Sequence, residues 1–100
     1  MDAKETFETY KNYYKEKQDE ILKEDLSNLA HEQWSGWMKY LFEKSIKNID
    51  GTITIPKWAV DRWEKQANTS YVNLSKSEQD SDRCEADKFL KVFKFHKYKK

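Results

Sequence analysis

At 100 residues the chain has room for one small hydrophobic core and no second domain. Charged residues reach 37% yet cancel to a net charge of +1, which removes any global pull towards nucleic acid or an anionic membrane surface. No apolar run approaches bilayer length, two distant histidines and one cysteine supply no metal-ligand set, and the lone Cys84 fits a reducing cytoplasm.

Residues 1–25 predict an amphipathic N-terminal helix. Phe7, Tyr10, Tyr14, Gln18 and Ile21 recur at three- and four-residue spacing, with Leu22 beside them. The acidic start, Asp2 and Glu5, suits the positive end of a helix dipole. A second helix is expected from Leu26 to Lys44, capped by Asp25 or Ser27, with Trp34, Trp37, Met38 and Leu41 as its core stripe. Gly36 sits inside it at a cost of about 1 kcal/mol against alanine, which points to another helix or a ring close to the backbone.

Across 49–55, Ile49, Ile53 and Ile55 alternate with threonines next to Asp50-Gly51, a turn signal within a short extended or β segment. Pro56 suits the first position of a third helix running to about Ala67. Ser75 and Glu78 form an S-x-x-E capping box ahead of a fourth helix, whose apolar side comprises Ala86, Phe89, Leu90 and Phe93. Residues 94–100 read as a basic, frayed tail. The expectation is a mostly α, single small domain of about four helices with one short extended or β segment.

Of 19 basic residues only Arg62 and Arg83 are arginine. Arginine offers what lysine cannot: a planar fork of donors, weak hydration and stacking on rings. Each could close a buried ion pair, with Asp82 or a facing carboxylate for Arg83, or pack its stem over a tryptophan, or the two could grip one ligand. Catalysis is not expected, because Cys84 has His31 as its only plausible base and no spacing joins them. No cofactor motif is present, since the two glycines are isolated.

The second half resembles the ryanodine-receptor-type repeat domain, a small helical module that also occurs as short stand-alone bacterial and phage proteins. The residues that carry it are His31-Glu32-Gln33-Trp34, Trp37, Pro56-Lys57-Trp58, Arg62-Trp63, Gln66, Thr69 to Ser75, Glu78 and Ser81 to Ala86. It covers roughly residues 27–92 and departs at Ser70 and Gln79, where the family has proline and lysine. The N-terminal helix lies outside it. The resemblance implies residues 26–93 as a helical unit that senses a nucleotide-like ligand; a phage protein of this kind could sequester a host nucleotide signal in the host cytoplasm.

Two readings follow. In the first, a non-enzymatic domain binds a small anionic, nucleotide-derived ligand. Trp34, Trp37 and Trp58 or Trp63 wall it and stack it, Arg62 and Arg83 hold its charge, and His31, Tyr71 and Asp82 orient it. In the second, the aromatic N-terminal helix docks on another chain or a second copy, with no small molecule involved. A ligand site needs both arginines near one cavity, whereas an interface needs an exposed apolar patch.

Overall fold

The computed structural model describes residues 2–98, without the side chain of Tyr98. It contains three α-helices, α1 (Ala3–Lys44), α2 (Lys57–Ala67) and α3 (Lys76–Tyr98), a short strand pair, β1 (Ile46–Lys47) and β2 (Ile53–Thr54), and a 3₁₀ turn at Tyr71–Asn73. The mostly helical expectation holds, with three α-helices in place of about four.

The break expected near Asp25 is absent: α1 runs unbroken for 42 residues. Neither proposed cap acts as one. The Ser27 hydroxyl donates back to the Lys23 carbonyl at 2.7 Å, a bond that fits inside a helix, and the Asp25 carboxylate meets His96 Nε2 at 2.6 Å. No glycine or proline interrupts the chain between Ala3 and Ser35, so nothing local stops the helix. The cap lies at Asp2, whose Oδ1 accepts from the Glu5 amide at 2.8 Å.

Asp50-Gly51 does make the turn between β1 and β2. Gly51 has φ +88°, in the left-handed region. The Asp50 carboxylate accepts from the Thr52 amide at 3.0 Å and the Thr52 hydroxyl at 2.6 Å, which holds its pKa below the ordinary value. The antiparallel register pairs Ile46 with Thr54 and Lys47 with Ile53. Ile49 stands fully exposed in the turn, not on a strand. Pro56 stands at the N-cap of α2, one residue before the first helical position expected for it, and Ser75 caps α3 as the sequence indicates. The Glu78 amide donates to Ser75 Oγ at 3.3 Å and Ser75 Oγ donates to the Glu78 carboxylate at 2.7 Å. The helix α3 continues to Tyr98, so residues 94–98 belong to it; Lys99 and Lys100 lie outside the described residues.

The helices α1 and α3 form an antiparallel hairpin. Asp25 meets His96 near one end, and Gln33 lies beside Glu85 further along. The row turned inward on α3 is Glu85, Phe89, Val92 and His96, each half-buried, opposite Leu22, Leu26, Leu29 and Gln33 on α1. Both rows follow the heptad-like spacing of packed helix pairs. This replaces the apolar side read from sequence, because Leu90 and Phe93 are exposed and only Phe89 of that set carries the contact. Trp34 and Trp37 are likewise exposed, which corrects the expected core stripe.

The molecule is long and thinly packed. Its radius of gyration is 21.2 Å and its extents 69 × 36 × 21 Å, against a radius of about 13 Å for a compact domain of this length. Among the described residues only Leu29 and Ala59 are buried. From Ala3 to Lys17 every residue except Thr6 is exposed, including Phe7, Tyr10, Tyr13 and Tyr14.

Candidate functional site

The three helices line an aromatic-walled cavity of about 500 Å³ that is open to solvent on one side. From α1 come Leu29, Glu32, Gln33, Gly36, Trp37 and Tyr40, all within successive turns of one side. The α2 helix contributes Arg62, Trp63 and Gln66. Ser77, Glu78, Ser81, Asp82, Glu85 and Lys88 close it from α3.

The wall is a chain of rings: Trp37 meets Tyr40 edge to face at 6.3 Å, Tyr40 meets Trp63 at 6.0 Å, and Trp63 meets Trp58 at 6.3 Å. Gly36 forms an open stretch of wall, for a Cβ built there meets nothing within 4 Å. The close approach expected at this glycine is therefore absent; what the missing side chain leaves is space.

Carboxylates outnumber cations in the lining: Glu32, Glu78, Asp82 and Glu85 stand against Arg62 and Lys88. Lys88 Nζ is bonded to Glu85 Oε1 at 3.0 Å. That bond holds the Glu85 carboxyl below its usual range and pushes the Lys88 ammonium up. The nearby Gln33 amide adds to the Glu85 shift but falls outside hydrogen-bond geometry. As a result two buried polar atoms, Gln33 Nε2 and Glu85 Oε2, have no partner. An unmet donor and an unmet acceptor each cost about 1–3 kcal/mol when desolvated, and here both belong to residues that line the cavity.

Of the eight residues singled out from sequence, the cavity takes Trp37, Arg62 and Asp82. Of the alternatives Trp58 and Trp63, Trp63 lines the cavity and Trp58 is one ring removed, against it. His31 and Trp34 stack on each other at 5.9 Å, on exposed α1 surface outside the cavity. Tyr71 and Arg83 form a separate pair, with the guanidinium 5.9 Å from the ring centroid. Arg83 Nη1 bonds Asp80 Oδ1 at 2.9 Å, one turn back on the same helix, and neither Asp82 nor a facing helix supplies its carboxylate. Arg62 lines the cavity and Arg83 does not, so the two arginines are not brought together there.

Sequence reasoning missed Glu32, Gln33, Gly36, Tyr40, Glu78, Glu85 and Lys88 as one site. A signal existed: Leu29, Gln33, Gly36 and Tyr40 share one row of α1, and Glu78, Asp82 and Glu85 one row of α3. Both rows mix polar and apolar residues, so a search for apolar stripes passes beside them.

Among the described residues no group of three or more His, Cys, Asp and Glu side chains could hold a metal ion, and no helix is long and apolar enough to cross a membrane. Cys84 is exposed. Comparison with known proteins found no matching family model, no matching curated protein and no matching solved structure.

Proposed function

We propose that this chain is a non-enzymatic association module whose arm, the N-terminal half of α1, is covered by a second copy of the same chain. The observation that carries this reading is surface area. A folded monomer of 12.1 kDa exposes about 6,000 Å², whereas this chain exposes 8738 Å². The surplus, about 2,700 Å², matches the upper range that each partner of an obligate homodimer contributes to its interface.

The surplus has a location. Phe7, Tyr10, Tyr14 and Ile21 are between 48% and 64% exposed, and from Ala3 to Lys17 every residue but Thr6 is exposed. On an ideal helix their row adjoins the one that α3 covers at Leu22, Leu26 and Leu29. An unsupported helical arm gains little from backbone bonds alone in water, so a second arm or hairpin laid on that stripe supplies the missing packing. Interspersed Lys4, Lys11, Lys15, Glu8 and Asp19 give the rim of such an interface mixed charge.

The small-ligand reading has narrower support. The motif resemblance spans all three helices around the cavity, and Trp37 and Arg62 lie in it. The separation of Arg83 and the excess of carboxylates weigh against an anionic, nucleotide-like occupant.

The association reading is tested with the double variant Phe7→Glu, Tyr14→Glu. Both side chains lie on the arm, away from the stretch of the hairpin where Leu22, Leu26 and Phe89 line one groove. Light scattering after size exclusion should show the wild type at twice the chain mass and the variant at one chain mass. A variant that keeps the wild-type assembly overturns the arm as the interface.

A further inference from the structure

We propose that the cavity between α1, α2 and α3 is a binding site for an organic cation: an ammonium or guanidinium group carried on a flat or apolar body. This inference rests on the cavity alone and stands whether or not two copies associate.

Three features of the cavity converge on that chemistry. Its wall holds the rings of Trp37, Tyr40 and Trp63, whose faces attract a cation and whose area covers a flat apolar body. Four carboxylates line it against two cations, and Lys88 is committed to Glu85 at 3.0 Å. Asp82 makes no ion pair with a described residue, and Glu32 makes none within 4 Å although its charge is felt by Lys88, so Asp82 foremost and Glu32 with it face an occupant. Finally, Glu85 Oε2 is a shielded acceptor whose neighbouring Gln33 amide lowers its pKa but falls outside hydrogen-bond geometry, so an incoming N–H would add a well-formed bond there. Gly36 leaves open room beside the rings, and about 500 Å³ accommodates a small organic molecule.

An anion would face the opposite balance. It could use Arg62, but would meet Glu32, Asp82 and Glu78 with no second free cation, because Arg83 is held by Asp80 outside the cavity. The ring wall alone does not choose between the two charges; the carboxylates do.

The test uses the full chain labelled with ¹⁵N, in which four tryptophans give four indole N–H signals, assigned through single Trp→Phe variants. Phenethylammonium and phenylacetate share one ring and carry opposite charge; adenosine monophosphate serves as the anionic nucleotide. Phenethylammonium should move the Trp37 and Trp63 signals saturably at millimolar concentration and leave Trp34 in place. Phenylacetate and adenosine monophosphate should leave all four unmoved at the same concentrations. The double variant Glu32→Gln, Asp82→Asn changes two exposed side chains and should weaken phenethylammonium binding about fivefold with an unchanged melting temperature. Equal or tighter binding of either anion at Trp37 and Trp63 overturns the proposal. So does unaltered cation binding by the double variant, or a cation that moves no indole signal.

Discussion

Replacing Gly36 with alanine separates two physical readings of the same residue. A glycine in the middle of a 42-residue helix weakens it by about 0.8–1.0 kcal/mol relative to alanine, through backbone entropy. That cost is retained for a reason only if a side chain would collide with something. Here an added Cβ meets no atom within 4 Å, and Gly36 is itself exposed, so no clash offsets the entropy gained. The full propensity difference should therefore appear as stability, and for a chain of this size it corresponds to a rise of about 4–8 °C in melting temperature. Differential scanning calorimetry of Gly36→Ala and wild type at one matched concentration measures it directly. An unchanged or lower melting temperature would refute the reasoning, and would mean that a ring, helix or second chain packs against the backbone at Gly36.

Ser75→Ala removes the Oγ that accepts from the Glu78 amide at 3.3 Å; losing a cap costs about 0.5–2 kcal/mol, and the length of this bond places the expected loss in the lower half of that range by thermal unfolding. The bond between Glu85 and Lys88 predicts a pH dependence with a definite sign. The folded-state pKa of Glu85 lies below its ordinary 4.5, so its contribution is complete above that value and fades as pH falls through the depressed one. Lys88 lies above 10.5, so its share is lost only as pH rises through the folded value. Melting temperatures of wild type and Glu85→Gln should thus differ at neutral pH and converge in acid, by a small amount because solvent screens both groups; a difference that widens in acid contradicts the assignment.

Local chemistry was legible in this sequence, and tertiary placement was not. Asp50-Gly51 and the pair Ser75 with Glu78 act through bonds within a few residues and appear where their residues indicate, and Pro56 marks the start of α2 to within one residue. The boundary at Asp25 failed because a cap-forming residue signals a helix start only when its side chain turns back to its own backbone. Asp25 instead reaches His96, 71 positions away. The stripes of Trp34 with Trp37 and Leu90 with Phe93 failed for a different reason. Periodicity shows that a helix has an apolar face, but a single chain of this composition has too few elements to cover every such face. A mixed row of α3, Glu85, Phe89, Val92 and His96, takes the contact with α1, and Trp34, Trp37, Leu90 and Phe93 remain exposed. The cavity was partly visible: Trp37, Arg62 and Asp82 were identifiable, whereas Gln33 and Glu85 matter through buried atoms that only coordinates reveal.

Exposed area beyond what a monomer of this mass should carry is the feature on which the function proposed for this chain depends. Sedimentation equilibrium of the full, untagged chain, from about 1 to 100 μM, measures the consequence with no variant or probe. The surplus surface and the bare arm predict a mass of twice 12.1 kDa across most of that range, with dissociation confined to its dilute end. A mass of one chain at every concentration would contradict self-association and leave the aromatic arm without the partner assigned to it.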